Sequence, residues 1–214
     1  MTPDQVRERL YAEKVIVVLR EKTEALCVEK ARALAEGGLS VLEVTYTTPG
    51  ATAVIAALAK AGPGVVGAGS ILEVGQAEAA TAAGARFLVS PIHVAAVAGW
   101  ARAHGVLYSG GASTPQEIWN AWEAGSRPVK VFPASDLGGP SYIKHVLAPL
   151  PRLELCPTGG VTTDNFVAYL EAGAKVGGIG DALTNAPEVA IGGMRALSWM
   201  AAIVRNLSQG DHKT

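Results

Sequence analysis

Lys130 stands in Arg127-Pro128-Val129-Lys130-Val131-Phe132-Pro133, a short β-branched and aromatic run that reads as a buried strand. An ammonium in such a strand must give up its water, and desolvation favours the neutral amine. A neutral amine on a rigid strand is a nucleophile for carbonyl carbon, so the chemistry it suggests is a Schiff base. The plainer reading is a strand-end lysine whose stem is buried and whose head reaches water. Glu43 is the second anomaly, an acid among Val41, Leu42 and Val44. Alone it reads as a solvated strand end; facing Lys130 it is the proton carrier that carbonyl chemistry needs. Two glycine-rich turns, Thr158-Gly159-Gly160 and Gly178-Ile179-Gly180, can offer backbone N–H groups to an anion, although tight turning alone would also explain them.

The elements that must position these residues follow one repeated phrase: helix, glycine-containing stop, short apolar strand, polar turn. Ala35-Glu36-Gly37-Gly38 precedes Val41 to Val44, Ala82-Ala83-Gly84-Ala85 precedes Arg86 to Val89, and Glu123-Ala124-Gly125 precedes Val129 to Phe132. Similar stops at Gly62, Gly105 and Gly173 precede further strands, and these glycines read as helix ends that need positive φ. The spacing is about 20 to 24 residues, near the minimum for a strand-plus-helix unit. With Val15 to Leu19 at the start and Leu153 to Cys156 late, the strands number eight. Thr23, Thr114 and Thr162 are expected N-caps, and Thr114-Pro115-Gln116-Glu117 adds proline at the first helical position and an acid at the third.

Eight alternations argue for an α/β fold, a (β/α)₈ TIM barrel, over a doubly wound open sheet. The GxGxxG fingerprint that an open sheet would carry is replaced by Leu19-Arg20-Glu21-Lys22 after the first strand. With no linker or low-complexity segment, the expectation is a single domain over residues 1–214, its barrel core about 15–207, preceded by an extra helix at Asp4 to Ala12. In such a barrel the second and sixth strands lie on opposite sides, so Glu43 and Lys130 can share one mouth. The glycine turns follow the seventh and eighth strands, where barrels place phosphate.

The composition narrows the classes. Hydrophobic residues make up 49% and charged residues 17%, and the net charge is -1, which argues against disorder, nucleic-acid binding or an electrostatic membrane anchor. No apolar run is long enough to span a bilayer and Met1 to Tyr11 is no signal peptide, so a soluble cytoplasmic protein is expected. Cys27 and Cys156 read as buried free thiols. His93, His104, His145 and His212 are scattered without metal-ligand spacing, and neither metal nor cofactor is expected. The polar stretch from Ser208 to Thr214 reads as a frayed end.

Glu43-Val44-Thr45, Gly67-Ala68-Gly69-Ser70, Val89-Ser90-Pro91, Lys130-Val131-Phe132-Pro133 and Pro157-Thr158-Gly159-Gly160 together resemble the 2-keto-3-deoxy-6-phosphogluconate and 4-hydroxy-2-oxoglutarate aldolases. The resemblance spans Val15 to Leu183 with its motifs in order at the right strands. It implies a metal-free class I aldolase, trimeric, that cleaves a 2-keto-4-hydroxy acid to pyruvate and an aldehyde, glyceraldehyde 3-phosphate or glyoxylate. It also implies roles: Lys130 as the Schiff-base lysine, Glu43 as general acid–base, and Ser70, where the family usually has threonine, at the substrate carboxylate. Pro91 and Phe132 match walls around the pyruvyl unit, and Thr158, Gly159 and Gly160 a loop for carboxylate or phosphate. Thr47 stands where many members carry an arginine clamp; Arg20, ending the first strand, could supply that charge. Asp181, after Gly180, stands where the family commonly has serine at a phosphate-binding helix. It is expected to N-cap that helix and to repel a phosphate dianion, favouring smaller or unphosphorylated substrates. The competing readings are an aldolase for 2-keto-3-deoxy-6-phosphogalactonate, a phosphate-binding barrel isomerase or synthase, and a non-catalytic scaffold.

Overall fold

The computed structural model describes residues 1–62 and 64–210. Helix α1 (Pro3–Glu13) precedes the first four strands, β1 (Val15–Leu19), β2 (Val41–Thr45), β3 (Val65–Gly69) and β4 (Phe87–Val89). They alternate with α2 (Glu24–Glu36), α3 (Ala51–Ala61) and α4 (Val74–Ala82). After α5 (Ala95–Ala103) come β5 (Leu107–Ser109) and β6 (Gly111–Ala112), then α6 (Pro115–Glu123) and β7 (Val129–Val131). The chain closes with α7 (Gly139–Leu147), β8 (Leu155–Pro157), α8 (Phe166–Glu171), β9 (Gly177–Ile179), α9 (Asp181–Thr184) and α10 (Pro187–Gln209).

All strand pairs are parallel. One run of pairing is β5-β4-β3-β2-β1-β9 and the other β6-β7-β8, and a Thr158–Gly178 bridge joins β8 to β9. Strands β5 and β6 are one stave interrupted at Gly110, whose N–H donates to Ser126 Oγ (3.2 Å) instead of continuing the ladder. The nine segments are therefore the eight staves of a (β/α)₈ barrel, and the fold is the expected one.

Alternation along the strands builds two cores. Ile16, Val41, Val65, Phe87, Leu107, Cys156 and Val176 pack together inside the ring with Val6 and Leu10 of α1, which closes the end where the strands begin. Their neighbours Val15, Val17, Leu42, Val44, Val66 and Val131 face outward against Leu34, Ile55, Val97 and Ile118 of the helices. The site must then lie at the other end, where the strands finish.

The helix punctuation follows the sequence. Thr23 and Thr114 cap α2 and α6, the latter with a full capping box. Gly38, Gly62, Gly84, Gly105, Gly125 and Gly173 all take positive φ, between 64° and 109°. Thr162 is a correction: it opens a turn in which its N–H donates to Asn165 Oδ1 (2.8 Å), and Asn165 is the N-cap of α8. Helix α10 bends at Gly193 (φ 59°, ψ -147°). It runs through buried Ser208, whose hydroxyl donates to Arg205 O (2.8 Å), so the expected fraying does not begin there; residues 211–214 lie outside the described residues, as does His212. Among the described residues no helix is long and apolar enough to cross a membrane.

Candidate active site

At the strand ends a cavity of about 300 Å³ opens. Lys130, in the middle of β7, lines it and is only 7% exposed. Its backbone is held between Gly111 of β6 and Cys156 of β8, and its Nζ lies 5.4 Å from the centroid of the Phe132 ring. Among the described residues it enters no ion pair. An amine so placed is rigidly mounted, open on one side to the cavity and walled by an aromatic face.

Glu43 of β2 lies behind the lining, 3% exposed, and its Oε1 has no hydrogen-bond partner. Burial raises its carboxyl above the ordinary 4.5, while Lys130 and Arg20 pull the other way. An orphaned, desolvated carboxyl under the influence of two cations can take up and release a proton near neutrality. Cys156 is also close to this pair, but burial pushes its thiol up to about 12, so it stays an inert thiol.

Arg20 is exposed and lines the same cavity, as do Ser70, Pro91, Phe132 and the Thr158-Gly159-Gly160 turn. The turns after β7 and β8 are tied together, Ala134 N–H to Thr158 O at 2.8 Å and Ser135 N–H to Gly159 O at 3.1 Å. Gly160 takes φ 72°, and a side chain there would strike Ser135, so both conformation and space require glycine. Gly180 and Asp181 complete the lining.

Two expectations need correction. Thr47 is exposed and is not among the cavity-lining residues; its hydroxyl is 2.9 Å from that of Thr45, which turns it back onto its own loop. Asp181 is not the N-cap of α9: Gly180 holds that position, and Asp181 accepts instead from Asn185 Nδ2 at 2.9 Å.

The sequence reading missed Gly69 and Lys30. A Cβ on Gly69 would collide with the Glu43 carboxylate, so this glycine makes the room in which the acid lies. Lys30 is 3% exposed and pairs with buried Glu21 at 2.8 Å. A signal was present: Cys27, Lys30, Ala31 and Leu34 fall at i, i+3, i+4 and i+7, which puts Lys30 on the apolar stripe of α2.

The sequence model of the family described as "KDPG and KHG aldolase" matches residues 6–200. The chain belongs to this aldolase family. It is 38% identical over 164 residues to the 2-dehydro-3-deoxy-phosphogluconate aldolase of Treponema pallidum, covering 76% of this chain and 78% of the relative. To the KHG/KDPG aldolase of Escherichia coli K12 it is 35% identical over 157 residues, 73% of this chain and 74% of the relative. The solved KDPG aldolase of Legionella pneumophila, with pyruvate captured as a covalent carbinolamine intermediate, superposes with a TM-score of 0.85. It is 27% identical, and the match covers 95% of this chain and 98% of that one. As an aldolase of this family the chain is a carbon–carbon lyase built on a TIM barrel.

Proposed function

We propose that this chain is a class I pyruvate aldolase that cleaves 2-keto-3-deoxy-6-phosphogluconate, 4-hydroxy-2-oxoglutarate or both. The observation that carries the reading is the placement of Lys130 at a closed cavity with the buried, unpartnered carboxyl of Glu43 behind it. Neutral Lys130 attacks the C2 ketone, and the carbinolamine loses water to give an iminium. Glu43 takes the proton from the C4 hydroxyl as the C3–C4 bond breaks, and the bonding pair flows into the iminium to leave an enamine. The aldehyde departs, the enamine is protonated at C3, and water releases pyruvate and regenerates the amine. Arg20 is the cation for the substrate carboxylate, with Ser70 beside it as a hydroxyl donor. Pro91 and Phe132 hold the pyruvyl unit between them. The turn at Thr158, Gly159 and Gly160 presents N–H groups to an anionic end, and Gly180 with Asp181 borders the remainder.

Borohydride added with pyruvate tests the reading: it should fix a pyruvyl adduct on Lys130, and Lys130→Ala should lose both adduct and turnover. Labelling of another lysine, or none, would falsify it and return the barrel to an isomerase, synthase or scaffold. The reading extends to one aldolase domain over 1–214, a homotrimer as the family resemblance implies, and a cytoplasmic location. Sedimentation of the purified chain as a monomer would remove the trimer.

A further inference from the structure

Asp181 is the acid in the cavity lining, and its position is set from behind. Its carboxylate accepts from Asn185 Nδ2 at 2.9 Å, and Asn185 Oδ1 accepts from Lys30 Nζ at 2.6 Å. An ammonium can only donate, so Lys30 fixes which way the Asn185 amide faces and turns its N–H₂ toward Asp181. Lys30 is itself neutralised by Glu21, buried with it at 2.8 Å, and the Glu21 N–H donates to Thr48 Oγ1 at 3.1 Å. The positive charge of Lys30 is thus spent on Glu21, and what reaches Asp181 is a neutral amide. No ion pair joins Asp181 to Arg20 among the described residues, although both line the cavity. The site therefore carries a cation at Arg20 and an uncompensated, oriented carboxylate at Asp181. The same buried pair anchors both, because Glu21 follows Arg20 in the chain and Asn185 follows α9.

A carboxylate accepts hydrogen bonds from hydroxyls and repels a phosphate dianion. We propose that Asp181 is a specificity-determining residue, held through Asn185 by the Lys30–Glu21 pair, that selects 2-keto-4-hydroxy acids ending in uncharged hydroxyls over those ending in phosphate. This rests on the aldolase reading and narrows its substrate class. Lys30 and Asn185 are positioning residues, acting through Asp181.

The experiment compares kcat/KM for cleavage of 2-keto-3-deoxygluconate and its 6-phosphate in the wild type, Asp181→Asn, Asn185→Ala and the double variant. Pyruvate trapping on Lys130 is run on each protein. The wild type should use the unphosphorylated acid at least as well as the phosphorylated one. Asp181→Asn should move the ratio toward the phosphorylated acid by about tenfold, equivalent to 1.4 kcal/mol. Asn185→Ala should move it the same way by a smaller factor, and the double variant no further than Asp181→Asn, as expected of residues acting in series. A ratio unmoved by Asp181→Asn while trapping persists overturns the specificity assignment and leaves the aldolase reading standing. A ratio that moves in Asp181→Asn but not in Asn185→Ala overturns the relay. Loss of trapping in the wild type overturns the aldolase reading and this assignment with it.

Discussion

Glu43 can lie fully buried behind the cavity because residue 69 has no side chain. A methyl group there meets the free end of a flexible side chain, so the fold can accommodate Gly69→Ala by moving the Glu43 carboxylate. The variant should therefore keep nearly the wild-type thermal midpoint while its kcat falls toward that of Glu43→Gln, about a hundredfold below wild type, the usual contribution of a positioned acid–base. A wild-type kcat in Gly69→Ala would show that the carboxylate does not work from this position. The two reactive residues were legible in the sequence because each is a charge set in an apolar strand, a placement that burial penalises and only function or pairing explains. Thr47 and Asp181 were misplaced for a different reason. Both lie just beyond strand ends, where local hydrogen bonds decide direction: the Thr45 hydroxyl claims one and the Asn185 amide the other. Neither partner can be read from spacing alone.

Strand β3 shows the same economy one layer deeper. A Cβ on Gly67 would enter the Phe87 ring, so the large side chain of β4 fills the space that the glycine of β3 vacates beneath the site. Here the obstacle is a packed ring inside a closed barrel. Gly67→Ala should cost about 1–3 kcal/mol, the range for overpacking a filled core, read as a lower urea midpoint at unchanged slope. Gly99, in α5 with nothing near its would-be Cβ, is the contrast: Gly99→Ala should gain about 0.5–1 kcal/mol from helix propensity. If both shifts have the same sign, the Gly67–Phe87 fit is not what limits the barrel layer. At this scale the barrel was readable because each helix ends at a glycine that must take positive φ and each strand is too short and apolar to be anything else. The break at Gly110 and the late start of α8 were not, since both arise from side chains, Ser126 Oγ and Asn165 Oδ1, that take over main-chain donors.

For the whole molecule, the barrel buries an acid that gains no hydrogen bond at Oε1, and stability must register that. Burial sets the folded carboxyl of Glu43 above its ordinary 4.5, against the smaller opposing pull of Lys130 and Arg20. Below the ordinary value Glu43 is protonated in both the folded and the unfolded chain, and its titration contributes nothing. Between the ordinary and the raised value the folded chain binds the proton that the unfolded chain releases, so stability falls as pH rises through this window. Above the raised value the loss is constant. Glu43→Gln removes this dependence while leaving a side chain of similar size. Its thermal midpoint should gain on the wild type as pH rises from 4 toward neutrality, by about 2–4 °C for each kcal/mol of the removed penalty. The same substitution should slow turnover, the usual opposition between an unstrained core and a reactive one. A midpoint difference that shrinks over that pH interval would mean that the cations, not burial, dominate Glu43. The acid would then be held ionised, a base from the start of the cycle, and the first proton donated to the carbinolamine would have to come from elsewhere.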